Sequence, residues 1–304
     1  MSDLQRRQRL TGALFVMAAA VAFSGKAILV KLAFRQDVDA LTLLALRMIF
    51  SAPFFVTLAL WANHREGVAR LRRPDLRNVL LLGIVGYYLA SYFDFLGLQH
   101  VTAALERLLL FIHPTFVLLL AAAFFKRPIS RRDVAAIVLS YLGIVLVFGN
   151  DLATQPGNIV LGSSWVLLSA LCYAVYLLGS GSLVGRVGSL RFASYAGLSS
   201  CLAVLAHYLL AHDIRRAFNL APAVYGYSLL MAAACTVLPI VLTSEGIRRI
   251  GASHASIIAS VGPIATIFLG MAFLDEAITV IQLAGAALVL AGVLAIGLHK
   301  GSAR

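Results

Sequence analysis

Charge is scarce in this sequence. Only 12% of its 304 residues are Asp, Glu, Lys or Arg, about half the share of a soluble globular domain, while 61% are hydrophobic and the mean hydropathy is +0.92. Too little polar surface remains to cover a water-soluble domain. Acidic residues are the scarcer sign, 13 against 25 Lys and Arg. Cysteine is limited to Cys172, Cys201 and Cys235, each inside an apolar run and without metal-ligand spacing. They read as small buried hydrophobes, and no disulfide framework or metal site is expected. Gly-rich phosphate loops, HExxH pairs and aspartates at catalytic spacing are missing, so neither an enzyme nor a cofactor is expected. Long polar segments are missing too. The longest connection is the Arg-rich stretch from about His64 to Asp75, which leaves no room for a soluble catalytic or nucleic-acid-binding domain.

What is present is a series of continuous apolar runs. Crossing the hydrocarbon core takes roughly 20 apolar residues per helix, and only helices or closed barrels satisfy the backbone there. Runs that are continuous and not alternating argue for helices. Ten spans are predicted, at about 10–34, 39–62, 77–98, 102–125, 133–149, 157–181, 190–211, 223–246, 251–273 and 277–298. The net charge of +12 follows the loops between them. Arg6, Arg7 and Arg9, then Arg65 to Arg77, Lys126 to Arg132, Arg186 and Arg191, Arg248 and Arg249, and finally Lys300 and Arg304 fall on one side. The opposite side holds Lys31, Arg35, Arg215 and Arg216. By the positive-inside rule both termini are cytoplasmic, as an even number of spans requires. The basic balance is thus a topology signal before it is an attraction to anionic lipid.

The N-terminal run, with its basic flank and Ala20-Val21-Ala22, has the look of a signal peptide. An internal repeat argues that it is retained. With an offset of 149 residues Pro114 falls on Pro263, Ala103 on Ala252, Phe124 on Phe273 and Gly143 on Gly292; near the start an offset of 150 pairs Gly12 with Gly162 and Val16 with Val166. The chain reads as two five-helix copies, 1–150 and 151–304. Because five is odd, the copies enter the membrane from opposite sides. Inverted repeats are the recurring architecture of secondary transporters, with the substrate site between the halves near the midplane.

The segment GASHASIIASVGPIATIFLGMAFLDEAITVIQLAGAALVLAGVLAI, Gly251 to Ile296, resembles the C-terminal part of the EamA repeat of the drug/metabolite transporter superfamily. The resemblance rests on Pro263 in mid-helix, the acidic turn Asp275-Glu276, and the small-residue last helix around Gly285 and Gly292. The first copy, TAALERLLLFIHPTFVLLLAAAFFKRPISRRDVAAIVLSYLGIVLVFG, is similar, with Lys126-Arg127 in place of the acidic turn. FSGKAILVK and LALRMIF, around Arg47, resemble that family's first two helices. The resemblance implies an all-α, ten-helix, multi-pass carrier of the cell inner membrane, often an exporter of amino acids or related metabolites. A cationic drug or amine exporter is the alternative within transport; an intramembrane enzyme or scaffold is the alternative outside it.

Five ionisable residues fall inside predicted spans: Lys26, Arg47, Asp94, Glu106 and Arg107. Each costs several kcal/mol unless it faces a partner or an aqueous cavity. At a rise of about 1.5 Å per residue, Asp94 and Glu106 lie ~6–8 Å below the outer boundary and Lys26 and Arg47 ~12 Å. All belong to the first copy, since Ala255 and Ser256 stand where Glu106 and Arg107 do. One reading is a set of ion pairs, Arg107 or Arg47 against Asp94 or Glu106, that fixes the packing of the first four helices. The other is an outward-opening vestibule that recognises a zwitterionic or charged solute. Arg47 is assigned a structural or coupling role, because an arginine there resembles a common family feature. Asp94, Glu106 and His113 are also the candidates for proton coupling.

Helical spacing selects further lining candidates. Glu106 and His113 share a face, as do Tyr87, Ser91 and Asp94, with Tyr88 and Tyr92 beside them. Trp165, Ser169, Tyr173 and Tyr176 form a stripe in the sixth span, and Thr236, Pro239 and Thr243 in the eighth. Aromatic faces hold ammonium groups or stack on planar solutes. Pro114 and Pro263 are candidate hinges, each removing a backbone donor near mid-span. The last helix reads as a close packing surface, in a monomer or a homodimer.

Overall fold

The computed structural model describes residues 3–65, 72–126, 129–250 and 252–301. Arg70, Arg127 and Arg304 of the topology signal lie outside them. Among the described residues all regular structure is helical. Eight helices among the described residues are long and apolar enough to cross a membrane: Leu10–Phe34, Ala40–His64, Arg73–Leu98, Ala103–Phe125, Asp133–Thr154, Ile159–Gly181, Ser189–Ala211 and Ile257–Leu274. Two shorter apolar helices, Pro222–Val237 and Val280–Ala295, fall where the eighth and tenth spans are predicted. The first of these is shortened only in apolar character, because helical backbone continues from Pro222 to Ile250 through α10 (Pro222–Ala232), a π turn and α11 (Leu238–Ile250).

The opening helices α1 (Asp3–Phe34) and α2 (Ala40–Arg65) are joined at Asp39. Its carboxylate accepts from Leu41 and Thr42 amides at 3.0 Å and from the Thr42 hydroxyl at 2.6 Å, so it caps α2. Burial alone would push this acid up; the Thr42 bonds, with His212 and Arg216 nearby, outweigh it and hold Asp39 below its ordinary value.

The third crossing is α3 (Arg73–Gly83), a π turn at Ile84–Leu89 and α4 (Ala90–Leu98). The matching π turn in the second half is Ala233–Val237. The fourth crossing is broken into α5 (Ala103–Leu110) and α6 (His113–Phe125), with Pro114 in the first turn of α6. Pro263 stands at the same place in α13 (Gly262–Leu274), which follows α12 (Ala252–Ala259). At both prolines the α-helical ladder is interrupted by a tighter turn, Ile112 N to Leu109 O and Val261 N to Ile258 O. Proline lacks the N–H that would continue the ladder and excludes the carbonyl one turn back. Beside Pro263, the carbonyl of Gly262 in the first turn of α13 accepts from the Ser24 hydroxyl at 2.9 Å and from the Thr266 hydroxyl at 3.1 Å. Both α6 and α13 end in a non-glycine left-handed residue, Lys126 (φ 52°) and Asp275 (φ 60°).

The remaining helices are α7 (Arg131–Thr154), α8 (Ile159–Val187), α9 (Ser189–Ala211) and α14 (Val280–Gly301). A serine–aspartate box caps α7: the Asp133 amide donates to Ser130 Oγ, and the Ser130 amide to Asp133. Helices α7 and α14 pack tightly, and Gly285 and Gly292 are used there: a Cβ on either would strike α7 at Gly143 O or Ala136 O. The small-residue face of the last helix is thus occupied within the chain.

Contacts sort the loops into two ends. At the near end, where α1 begins, Gly12 lies against Gly246 and Arg249, and Arg186 pairs with Asp75 at 3.0 Å. At the far end, Lys31 donates to Val101 O at 2.8 Å and Arg35 to Leu274 O at 2.7 Å. Thr102 bonds Asp151 at 2.6 Å there.

Candidate functional site

A cavity of about 420 Å³ lies in the middle of the bundle, with walls from α1, α2, α4, the α5–α6 break, α8, α9 and the segment around Thr236. It is built around one lysine. Lys26 Nζ sits 2.5 Å from Asp94 Oδ2 and 3.2 Å from Glu106 Oε1, so helices α1, α4 and α5 are tied by one ammonium shared between two carboxylates. The second oxygens, Asp94 Oδ1 and Glu106 Oε2, are buried without a hydrogen bond. Glu106 is 0% exposed and stands behind Lys26, outside the cavity wall.

The two arginines do not take part, contrary to the expected pairing of Arg107 or Arg47 with Asp94 or Glu106. Lys26, on the same level, occupies both acids. Arg47 is 7% exposed, lies 5.8 Å over the Phe95 ring and gives one bond, Nη2 to Thr236 Oγ1 at 3.2 Å. Its Nε and Nη1 are buried and unpartnered. Arg107 is 8% exposed, with its guanidinium 5.3 Å from the Phe23 centroid and 5.4 Å from that of Phe111. Its Nε is likewise buried and unpartnered.

His113 Nδ1 lies 2.8 Å from Leu110 O. A carbonyl only accepts, so Nδ1 carries the proton. The ring meets Tyr173 edge-on at 5.2 Å, and Tyr173 stacks on Tyr176 at 5.7 Å. Tyr176 bonds the Tyr87 hydroxyl at 2.9 Å and fills the space that Gly86 leaves by lacking a Cβ.

Of the residues singled out in the sequence, Lys26, Arg47, Tyr87, Ser91, Asp94, Arg107, His113, Tyr173, Thr236 and Thr243 line the cavity. Tyr88 and Tyr92 do not. They turn to α9, where Tyr88 bonds His207 Nδ1 at 2.8 Å and Tyr92 meets that ring at 5.2 Å; Tyr92 and His207 line a separate far-end pocket of about 300 Å³. Trp165 stacks on Phe93 at 5.5 Å, and Tyr176 supports the wall from behind. Phe23, Met48, Phe111 and Ser200 also line the cavity, and sequence reasoning missed them. Phe111 was findable, since it stands four residues after Arg107 and shares its helical face; the azimuth of the others depends on tertiary packing.

The cavity runs from Lys26 toward the near end, along Ala20, Val16 and Thr243. On the far-end side its lining stops at the level of Lys26 and Asp94, short of the contact between Lys31 and Val101. Beyond that level stands Glu276: its carboxylate accepts from the Ala103 amide at 3.0 Å and pairs with Lys31 at 3.2 Å. It thereby joins α13, α5 and α1 across the far end. The Glu276 amide donates back to Gly270 O at 3.2 Å, which fixes the turn that delivers it.

A family model described as "EamA-like transporter family" matches residues 10–149 and again residues 160–298. The chain belongs to this family. Among similar proteins, an "Uncharacterized transporter YcbK" of Bacillus subtilis (strain 168) is 32% identical over 92% of this chain and 90% of its own length. A further uncharacterized transporter, from Synechocystis, is 24% identical over 96% and 95%. "Solute carrier family 35 member F5" of Bos taurus is 30% identical over 48% of this chain and 29% of its own length. A crystal structure 18% identical, with TM-score 0.63, covers 96% of this chain and 99% of its own, which shows the same fold. As an EamA-like transporter with eight or more membrane-crossing apolar helices and bacterial relatives, the protein is a multi-pass protein of the inner membrane.

Proposed function

We propose that the protein is a secondary transporter that carries a small polar or zwitterionic metabolite, such as an amino acid or a related compound, out of the cell by alternating access. The observation that carries this reading is the central cavity. Its walls come from both halves of the chain: Lys26, Arg47 and Arg107 from the first, Tyr173, Ser200 and Thr236 from the second. A cavity at the seam between two halves is where relative rocking exposes one site first to one side and then to the other.

The ten helices are read as two inverted five-helix copies, 1–150 and 151–304. Supporting this, the π turns, the proline-led helix breaks and the left-handed helix ends recur at the same offset, and the family model matches once in each half. Both termini are read as cytoplasmic. Arg73 and Arg77 open α3, Arg131 opens α7, and Arg186 and Arg249 close α8 and α11, all at the near end. On that topology the cavity extends toward the cytoplasm, as an exporter awaiting its load requires. Lys26 faces two carboxylates, so a proton on either leaves a one-to-one pair; this cluster is where a coupling proton would be held.

The test uses the purified protein in proteoliposomes loaded with a mixture of amino acids and related small metabolites. Efflux is followed by mass spectrometry with and without a pH gradient. At least one solute is expected to leave faster than from protein-free vesicles, and faster again when protons can flow the opposite way. If no solute moves above that background, the transport reading is wrong; if flux ignores the gradient, the proton coupling is.

A further inference from the structure

Of the five charged groups in the cavity wall or directly behind it, three are cations and two are carboxylates. Both carboxylates are spent on Lys26, and among the described residues no carboxylate lies within ion-pair distance of either arginine. Arg47 and Arg107 nonetheless stand in the wall of the same cavity, more than nine-tenths buried, with guanidinium N–H groups that meet nothing. Leaving a buried guanidinium without an acceptor costs far more than leaving one at a wet surface. The cluster is positive with both carboxylates ionised and more positive if one takes a proton.

We propose that the cavity selects its solute by a carboxylate, which completes the unfilled hydrogen bonds of Arg107 and Arg47. This rests on the transporter reading and narrows it. A guanidinium presents planar paired donors that match the two oxygens of a carboxylate, which a lysine would not. Arg107 is held for that role. Phe23 and Phe111 flank its charged plane, and Gly262 leaves its Nη2 the space that a Cβ would occupy at 2.8 Å. Arg47 is anchored by Thr236 on one nitrogen, and the other two are buried without a partner. The remaining wall is largely apolar and aromatic, and the volume is within the range of small-molecule sites. The fitting solute is a small monocarboxylate with an apolar or aromatic body. A second charge of positive sign on it finds Asp94 Oδ1, which is unpartnered and on the same wall. The same charges count against the cationic drug or amine alternative: a bare ammonium would meet two unbalanced arginines.

Binding is measured on the purified full-length protein in nanodiscs by calorimetry. The probes share their skeletons and differ in charge: phenylacetate, phenylacetamide and phenethylamine; then L-phenylalanine and L-phenylalaninamide. The acids are expected to bind about 30-fold or more tightly than their amides, and phenethylamine not at all. Arg107→Gln and Arg47→Gln should each weaken the acids by about 30-fold, while Arg186→Gln, paired with Asp75 at the surface, should leave them unchanged. The contrast among acid, amide and amine needs no variant, so a variant that fails to fold does not decide the matter. Amides or amines that bind as tightly as the acids overturn the proposal, and so does a panel in which no acid binds. Flux of the same compounds in proteoliposomes tells the two failures apart. An amine that is transported overturns the carboxylate assignment and leaves the transporter standing; no flux of any compound overturns both.

Discussion

At the scale of single residues, the sharing of Lys26 makes its neighbours unequal. Replacing Asp94 by Asn or Glu106 by Gln removes one of two carboxylates and leaves the lysine paired, so the fold should survive while transport falls. Lys26→Met instead strands two buried acids together, and breaking a buried pair from one side costs about 3–5 kcal/mol. Melting of the detergent-purified variants should therefore rank Lys26→Met well below the other two. Adding Asp94→Asn and Glu106→Gln to Lys26→Met should recover most of the melting temperature; a triple variant no better than Lys26→Met would mean that the cluster is not held by this pairing. Gly262→Ala tests the space beside Arg107. The obstructed atom is the far end of a flexible side chain, so the guanidinium should be displaced with the fold intact, and acid binding should fall without loss of melting temperature. The five charges and their place in one half of the bundle's depth were legible in the sequence, because residue count along a helix gives depth. Which cation takes which acid was not, since pairing depends on how each helix is rotated about its axis, and Lys26 occupies the place that the arginines were expected to fill.

At the scale of helices, the two prolines and the small residues of the last helix were legible for a related reason: each states a local backbone requirement. Pro114 and Pro263 remove a donor wherever they stand, and at each the α-helical ladder is interrupted by a tighter turn. Partners were harder. The stripe with Gly285 and Gly292 could have faced a lipid, a second copy or another helix, and only the packing shows that α7 fills it. Gly285→Ala should be costly, because its Cβ would meet the Gly143 carbonyl at 2.6 Å and backbone cannot step aside as a side chain can; overpacking of this kind costs about 1–3 kcal/mol. Gly149, on α7 itself, has nothing within 4 Å of the point where a Cβ would stand, and Gly149→Ala should be neutral or stabilising by up to about 1 kcal/mol through helix propensity. Thermal unfolding of the two purified variants, side by side, checks both signs. Equal melting temperatures would refute tight α7–α14 contact.

At the scale of the whole molecule, the repeat is symmetric in backbone and asymmetric in charge. The acidic turn Asp275-Glu276 ties α1 and α5 together at the far end through Lys31 and the Ala103 amide, whereas the corresponding turn of the first half is Lys126-Arg127, and a basic pair cannot accept from a helix N-terminus. The near end therefore has no matching latch of this kind in its sequence, which gives a physical reason why the cavity extends that way in this conformation. Glu276→Gln removes the charge that holds α1 and α5. A charge-assisted bond contributes about 1.5–3 kcal/mol, so its loss should move the ratio of far-end-closed to far-end-open forms by roughly 10-fold or more. A cysteine placed at Ser91, in a background where Cys172, Cys201 and Cys235 are replaced, reports which end reaches the cavity. In oriented vesicles a membrane-impermeant thiol reagent should label Ser91→Cys mainly from the near-end side. Adding Glu276→Gln should raise labelling from the far side without changing protein yield. Labelling whose side preference is unmoved by Glu276→Gln would show that closure rests on helix packing alone, and that the acidic turn of the second half is not the gate.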